Sequence, residues 1–117
     1  MIIGIGTDII KIDRIKKACE REAFLKHVYS EKEKEICKSP AMLAGNFAVK
    51  EAVSKAFGTG LAFKVNEIEV LRDEKGKPYV VLHNKAKEIA TQKGVKNIFV
   101  SITDEDDLAV AFAVAEG

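Results

Sequence analysis

The first ten residues contain the feature that most constrains the fold, a strand pattern in which one face carries almost no side chains. Successive side chains of a β-strand point to opposite faces, so a strand over residues 2–10 places Gly4, Gly6 and Asp8 on the same face. Glycine inside a strand marks a position where another backbone can approach closely. The pattern therefore predicts that a second secondary-structure element packs directly against the backbone of this strand. The carboxylate of Asp8 would lie beside that contact.

A second predicted strand, residues 109–115, has one face made of small side chains, those of Ala109, Ala111, Ala113 and Ala115. Such a thin face would let a helix pack close to the sheet. Ser39 followed by Pro40 is typical of a helix N-cap and first helical position, and Gly58 is typical of a helix end. Residues 40–57 are therefore predicted to form a long helix that can fill this role.

The remaining predicted elements are helices over residues 11–27, 30–37 and 84–93 and strands over residues 67–71, 79–82 and 97–103. Ser30 with Glu33 forms a capping-box pattern, and Asn84 is the expected N-cap of the last helix. The order of a strand, several helices, a hairpin, a helix and a second hairpin predicts an α+β fold, with a mostly antiparallel sheet packed against the long helix. A doubly wound sheet would need a regular βα alternation that this order lacks.

The composition restricts the classes of function. The chain has 117 residues and a formal net charge of +1, which predicts one domain over residues 1–117 and gives no global field for nucleic acid or a membrane surface. The opening residues lack the basic region of a signal peptide, and no apolar run is long enough for a membrane span. Cys19 and Cys37 are expected to be free thiols, so the expected location is the cytoplasm.

Glu51 and Lys55 are four residues apart and share one face of the long helix. One interpretation is an exposed ion pair that stabilises the helix by about 0.2–0.5 kcal/mol. The other interpretation brings Glu51 against Asp8 on the glycine-bearing strand, where two carboxylates repel unless a cation lies between them. Oxygen ligands favour Mg²⁺, which also binds phosphates. Lysines nearby would complement those phosphates.

The turn at Gly58-Thr59-Gly60 also has two interpretations. It ends the helix, which is the simpler one. Glycines also let backbone N–H groups approach an anion. The turn stands at a helix C-terminus, where the dipole disfavours anions, so Lys55 would have to outweigh that effect.

Taken together, these stretches resemble the holo-[acyl-carrier-protein] synthases, the short bacterial type of 4'-phosphopantetheinyl transferase. The resemblance rests on GIGTDI at residues 4–9, FAVKEA at residues 47–52 and KAFGTG at residues 55–60. It extends over essentially the whole chain and includes GKP at residues 76–78 and VSI at residues 100–102.

The resemblance implies transfer of the 4'-phosphopantetheine arm of coenzyme A to a serine of apo acyl carrier protein, with release of adenosine 3',5'-bisphosphate. It implies Mg²⁺ ligands at Asp8 and Glu51, catalytic roles for Glu51 and Lys55, and either Glu51 or water as the proton acceptor. The implied coenzyme A-binding residues are Lys55, Gly58, Thr59, Gly60, Asn46, Ser101, Thr103 and Asp104. The implied carrier-protein docking residues are Arg14, Lys17 and Arg21. The implied assembly is a homotrimer with sites at the subunit boundaries.

Three positions depart from the family pattern, and one of them is Leu108, where an aromatic residue is usual. Asn46 stands where many members have arginine, so a phosphate contact is lost or is supplied by another residue such as Lys50 or Lys64. Asp104 stands where many members have histidine and others aspartate, and a carboxylate cannot contact a phosphate without a proton or a cation. An alternative hypothesis is therefore a module that binds coenzyme A or a carrier protein without turnover. A third is a structural domain in which the Asp8 and Glu51 pattern is accidental.

Overall fold

The computed structural model describes residues 1–59 and 63–117. Its elements, in chain order, are β1 (Ile2–Lys11), α1 (Ile12–Ala18), α2 (Glu22–Val28), α3 (Glu31–Ile36), α4 (Pro40–Phe57), a short 3-10 helix (Val65–Glu67), β2 (Ile68–Arg72), β3 (Pro78–Leu82), α5 (Asn84–Gln92), β4 (Asn97–Glu105) and β5 (Leu108–Glu116). Both helices and strands are present and every strand pairing is antiparallel, so the predicted α+β class is confirmed. Within the described ranges, no helix is long and apolar enough to cross a membrane.

The strands form two separate sheets. β5 lies between β1 and β4 in a three-stranded sheet, whereas β2 and β3 form a two-stranded hairpin. α4 packs across the three-stranded sheet and also contacts β2. The core therefore lies around α4, which is the element that both sheets share.

The close approach of α4 to β1 is confirmed at both glycines. A Cβ added to Gly6 would overlap the carbonyl oxygen of Ala52 and lie 2.9 Å from the backbone nitrogen of Ala56. A Cβ on Gly4 would overlap the carbonyl oxygen of Ala56. The predicted alanine face of β5 completes this contact, since all four of its alanines are buried. Backbone therefore meets backbone along this line, and any side chain at Gly4 or Gly6 would separate the two elements.

The prediction of one helix over residues 11–27 is wrong, because the chain breaks between α1 and α2. Ile15 and Val28 are both buried, at 2% and 6% exposure. They are thirteen positions apart, so in one straight helix they would point about 220° apart, on opposite sides. The break lets both side chains face the core.

The expected cap of α5 also differs. His83, and not Asn84, occupies the N-cap position, and its side chain makes no capping hydrogen bond. The Glu67 carboxylate accepts the backbone N–H of Ala86 at 3.0 Å instead. A residue distant in sequence therefore accepts a hydrogen bond from a backbone N–H in the first turn of this helix. A local sequence pattern cannot indicate such a partner.

Candidate active site at the contact of β1 and α4

The strand–helix contact brings Lys55 to Asp8. The Nζ atom of Lys55 lies 3.5 Å from Oδ1 of Asp8 and donates a hydrogen bond to the carbonyl oxygen of Thr7 at 3.0 Å. The Asp8 side chain is only 17% exposed, whereas that of Lys55 is 57% exposed. Lys55 can therefore reach a ligand in solvent while its amine still balances the charge of a nearly buried carboxylate.

Glu51 completes this cluster, one turn before Lys55 on α4. Burial raises the pKa of Glu51, and the negative charge of Asp8 raises it further, while Lys55 partly offsets both effects. Burial also raises the pKa of Asp8, against the positive charges of Lys55 and Arg14. The surroundings of each carboxylate thus disfavour its ionised form. Asp8 is close enough to Glu51 for its negative charge to raise the pKa of Glu51.

The donor set fits a hard divalent cation. Oδ2 of Asp8 is buried and has no hydrogen-bond partner among the described residues. A cation beside it and Glu51 would relieve both the unpaired oxygen and the repulsion between the carboxylates. In the described parts of the chain, no group of three or more His, Cys, Asp or Glu side chains is arranged to hold a metal. Two carboxylates suit Mg²⁺, which usually keeps water and phosphate oxygens as its other ligands.

The turn after α4 is described as far as Thr59, and Gly60 lies outside the described residues. Gly58 adopts a left-handed conformation with φ of 71°, and its N–H is bonded to the carbonyl oxygens of Ser54 and Lys55. That amide therefore ends the helix and is not free for an anion. Oγ1 of Thr59 is buried and has no hydrogen-bond partner within the described ranges.

Ser101 and Thr103 lie on the other side of the sheet from Asp8. Their strand partners are Phe112 and Val110, whose neighbours on β1 are Thr7 and Ile9. These positions alternate with the row that packs on α4, so both side chains are exposed on the face turned away from the helix. Asp104 is exposed near the end of β4. One chain by itself therefore does not bring Ser101 or Thr103 to the Asp8 cluster.

Asn46 and Lys50 are in the interior, which corrects two expectations. Both side chains are fully buried, so neither presents a surface to coenzyme A, and Lys50 cannot replace a missing phosphate contact. Nζ of Lys50 forms an ion pair with Glu33 at 2.8 Å and donates to the carbonyl oxygen of Ile68. Nδ2 of Asn46 donates to Glu33 and to the carbonyl oxygen of Val70, each at 3.0 Å. We call this group the Glu33–Lys50–Asn46 network.

No local pattern in the sequence indicates this network. The capping-box pattern predicts only a capping role for Glu33, and its carboxylate does accept the N–H of Ser30 at 3.1 Å. Its burial next to Lys50 depends on how α3 docks on α4, which no local spacing encodes. Burial lowers the pKa of Lys50, and the adjacent Glu33 carboxylate opposes that shift.

The remaining predicted residues lie on the surface. Arg14 and Lys17 are exposed on α1, and Arg21 is exposed at the N-cap of α2. Lys64 is exposed as well. Cys19 and Cys37 are free thiols as expected, and burial raises the pKa of Cys37 to about 11. The basic residues of α1 and α2 are thus free to meet another molecule.

Comparison with known proteins places this chain and its fold in one class. Residues 4–113 match the model of the 4'-phosphopantetheinyl transferase superfamily. A holo-[acyl-carrier-protein] synthase from Lachnoclostridium phytofermentans is 52% identical over 118 residues, which cover 99% of this chain and 97% of the relative.

Solved structures agree with the sequence match. The holo-[acyl-carrier-protein] synthase of Neisseria meningitidis superimposes with a TM-score of 0.90 at 33% identity and covers 100% of both chains. The Helicobacter pylori synthase, solved in complex with coenzyme A, gives a TM-score of 0.83 at 30% identity over 96% of this chain and 99% of that one. The chain belongs to the holo-[acyl-carrier-protein] synthase family of phosphopantetheinyl transferases, and the resemblance noted in its sequence is confirmed.

Proposed function

We propose that this protein transfers the 4'-phosphopantetheine arm of coenzyme A to a serine of apo acyl carrier protein and releases adenosine 3',5'-bisphosphate. The observation that carries the proposal is the cluster of Asp8, Glu51 and Lys55 where β1 and α4 meet backbone to backbone. Membership of the synthase family supports the same reaction.

The chemistry of the transfer matches these residues. The serine oxygen attacks the phosphorus next to the pantetheine, and the bond from that phosphorus to the bridging pyrophosphate oxygen breaks. Such reactions depend mainly on positioning and on neutralising negative charge. Asp8 and Glu51 would hold Mg²⁺, which supplies positive charge at the pyrophosphate. Lys55 adds a second positive charge from an exposed side chain.

The proton of the attacking serine also needs an acceptor. A general base works best when its pKa lies near the working pH. Burial and Asp8 raise the pKa of Glu51 in the metal-free chain, whereas a bound cation would lower it. Glu51 and a water molecule are therefore both candidate acceptors for this proton.

Mass spectrometry tests the function directly. The protein is incubated with coenzyme A, Mg²⁺ and an apo acyl carrier protein, and the carrier is weighed. The expected result is a gain of one phosphopantetheine arm, which requires the metal and disappears when a chelator is added. Binding of coenzyme A with no mass gain on any carrier tested would favour the alternative, a module without turnover.

We further infer that the chain works as a homotrimer with shared sites. The face of the three-stranded sheet turned away from α4, here called the outer sheet face, exposes Ile5 at 60%, Ile9 at 59%, Phe99 at 54% and Phe112 at 49%. A contiguous apolar surface of this kind is typical of an interface. Ser101 and Thr103 lie on it, so a neighbouring chain that packs there could receive them beside its own Asp8 cluster.

Phe112→Glu should therefore separate the subunits. The side chain is half-exposed, so the single chain should still fold, but a carboxylate in the centre of an apolar interface is costly to bury. Light scattering should report a trimer for the wild type and a monomer for the variant, and activity per chain should fall by at least tenfold. Tyr79→Glu is the matched control, because Tyr79 is 44% exposed but lies on β3, away from this face. A fully active wild-type monomer would refute the shared site.

Arg14→Glu and Lys17→Glu should each weaken docking of the acidic carrier protein. Both residues are exposed on α1, and exposed charge pairs act mainly on association and weaken with salt. Reversal of one charge should raise the KM for carrier protein by roughly tenfold. The KM for coenzyme A should change much less. Lys17→Glu is the cleaner variant, because the charge of Arg14 also reaches Asp8.

Steady-state kinetics with each substrate varied in turn, at two salt concentrations, measure these effects. Lys87→Glu on α5 serves as the charge-matched control, since Lys87 is also exposed. If both KM values rise equally, α1 is not the docking surface.

A further inference from the structure

Helix α4 is anchored on two opposite sides. On one side, Ala52 packs its backbone against Gly6 of β1. On the other side, Lys50 donates to the carbonyl oxygen of Ile68 on β2 while it is paired with Glu33 of α3. Lys50 and Ala52 are two positions apart, which places them about 200° apart around the helix. The two anchors therefore oppose each other and prevent the helix from rolling on the sheet.

Glu51 lies between these anchors, about 100° from each. The end of its side chain is about 6 Å from the helix axis, so a roll of about 10° would move its carboxylate by about 1 Å. A displacement of about 1 Å can reduce the rate of an enzyme a hundredfold. The rotation of α4 thus decides whether Glu51 stands correctly opposite Asp8.

The network supplies directed hydrogen bonds, which a purely apolar contact would not. Glu33 and Lys50 are both 0% exposed, and their ion pair is 2.8 Å long. Apolar side chains often replace a buried ion pair without loss of stability, so stability alone does not call for one. What apolar side chains cannot supply is a set of directed bonds, here to the carbonyl oxygens of Ile68 and Val70 on β2.

We propose that Lys50, held by Glu33 and supported by Asn46, is a positioning residue that fixes the rotation of α4 and so places Glu51 opposite Asp8. The proposal rests on the proposed function, in which these two carboxylates hold the metal. Lys50 touches neither substrate nor metal in this scheme.

The first test removes the pair together in Glu33→Gln/Lys50→Met. This double variant leaves no unpaired charge, so its melting temperature should stay close to that of the wild type. The affinity for Mn²⁺, used as the probe and measured by electron paramagnetic resonance in the presence of coenzyme A without carrier protein, should fall by about tenfold, as for other residues that support a metal ligand. The kcat should fall with it, while the KM for carrier protein should not change.

Asn46→Ala provides a second variant that keeps the ion pair and loses the bonds from Asn46 to Val70, to one Glu33 oxygen and, at 3.4 Å, to Sγ of Cys37. It should fold, and it should weaken Mn²⁺ binding in the same direction by a few-fold. Val53→Ala is its matched control, since Val53 is buried on the same helix and also becomes alanine, but it lies outside the network. Val53→Ala should lower the melting temperature and leave Mn²⁺ binding unchanged.

The outcomes separate this inference from the proposed function. Wild-type protein that neither binds Mn²⁺ nor modifies the carrier overturns the function. The positioning role alone is overturned by a different result. In that result the wild type binds Mn²⁺ and modifies the carrier, and Asn46→Ala and the folded double variant bind Mn²⁺ as tightly as Val53→Ala does. If the double variant does not fold, the comparison of Asn46→Ala with Val53→Ala decides. If Asn46→Ala changes only the KM for coenzyme A, the inference is also overturned. That result would support the earlier expectation that Asn46 contacts coenzyme A.

Discussion

Gly6→Ala is expected to prevent the native fold. The added Cβ would overlap the carbonyl oxygen of Ala52 and lie 2.8 Å from its carbonyl carbon, and these are backbone atoms that no rotamer change can move. β1 and α4 would have to separate along the line that also carries Asp8 and Glu51. We expect a loss of more than about 4 kcal/mol, a large part of the roughly 5–15 kcal/mol by which a typical domain is stable. Chemical denaturation followed by circular dichroism measures it.

Gly45→Ala is the matched control. Gly45 lies within α4, and a Cβ there would meet only the Ile102 side chain, with Cγ2 at 3.1 Å and Cδ1 at 3.7 Å. Because that side chain can shift and alanine favours a helix by about 1 kcal/mol over glycine, stability should change little or rise. Gly6→Ala with the unfolding midpoint of the wild type would show that the backbone contact is wrong.

The glycine contact was predictable because it is local. Alternation in a strand puts Gly4 and Gly6 on one face without reference to the rest of the chain, and the need for a close partner follows from their missing side chains. The alanine face of β5 is likewise local and also predicts a closely packed partner. Asp8 could be placed on this face for the same reason, whereas its contact with Lys55 of α4, at 3.5 Å, was not predicted from the sequence.

The parts that the sequence did not reveal depend on how elements dock. The break between α1 and α2 follows from the need to bury both Ile15 and Val28, and a helical pattern does not show which residues reach the core. Asn46 and Lys50 are polar, so composition places them at the surface, yet α3 covers them and supplies Glu33 as a partner. Polar residues in the interior are tolerated only with such partners, and partners from other elements leave no local pattern.

Glu51→Gln and Asp8→Asn should each abolish most turnover while they make the metal-free protein more stable. Removal of one oxyanion-hole donor that stabilises a transition state lowers kcat by roughly 10²–10³-fold, and we expect at least that here because the metal would also be lost. The stability gain has a separate cause. The pKa of each carboxylate is raised in the folded protein, so ionisation at neutral pH costs folding free energy that an amide does not cost.

The sign of the pH dependence follows from those raised pKa values. A raised pKa in the folded state adds stability below the pKa of the unfolded chain, about 4, and this stability is lost as the pH rises through the folded pKa. The amide variants should therefore unfold at higher temperature than the wild type at pH 7 without metal, and the difference should vanish below about pH 4. Mg²⁺ added in the presence of coenzyme A should further stabilise the wild type and neither variant.

Melting temperatures across this pH range, together with the mass assay, measure both effects on the same samples. Glu88→Gln on α5 is the control for loss of a carboxylate, since Glu88 is exposed and far along the chain from the cluster. It should change neither activity nor stability appreciably. An amide variant that keeps wild-type turnover would exclude its residue as a metal ligand. An inactive amide variant that is no more stable than the wild type at pH 7 would instead show that the two carboxylates are not forced together in the folded chain.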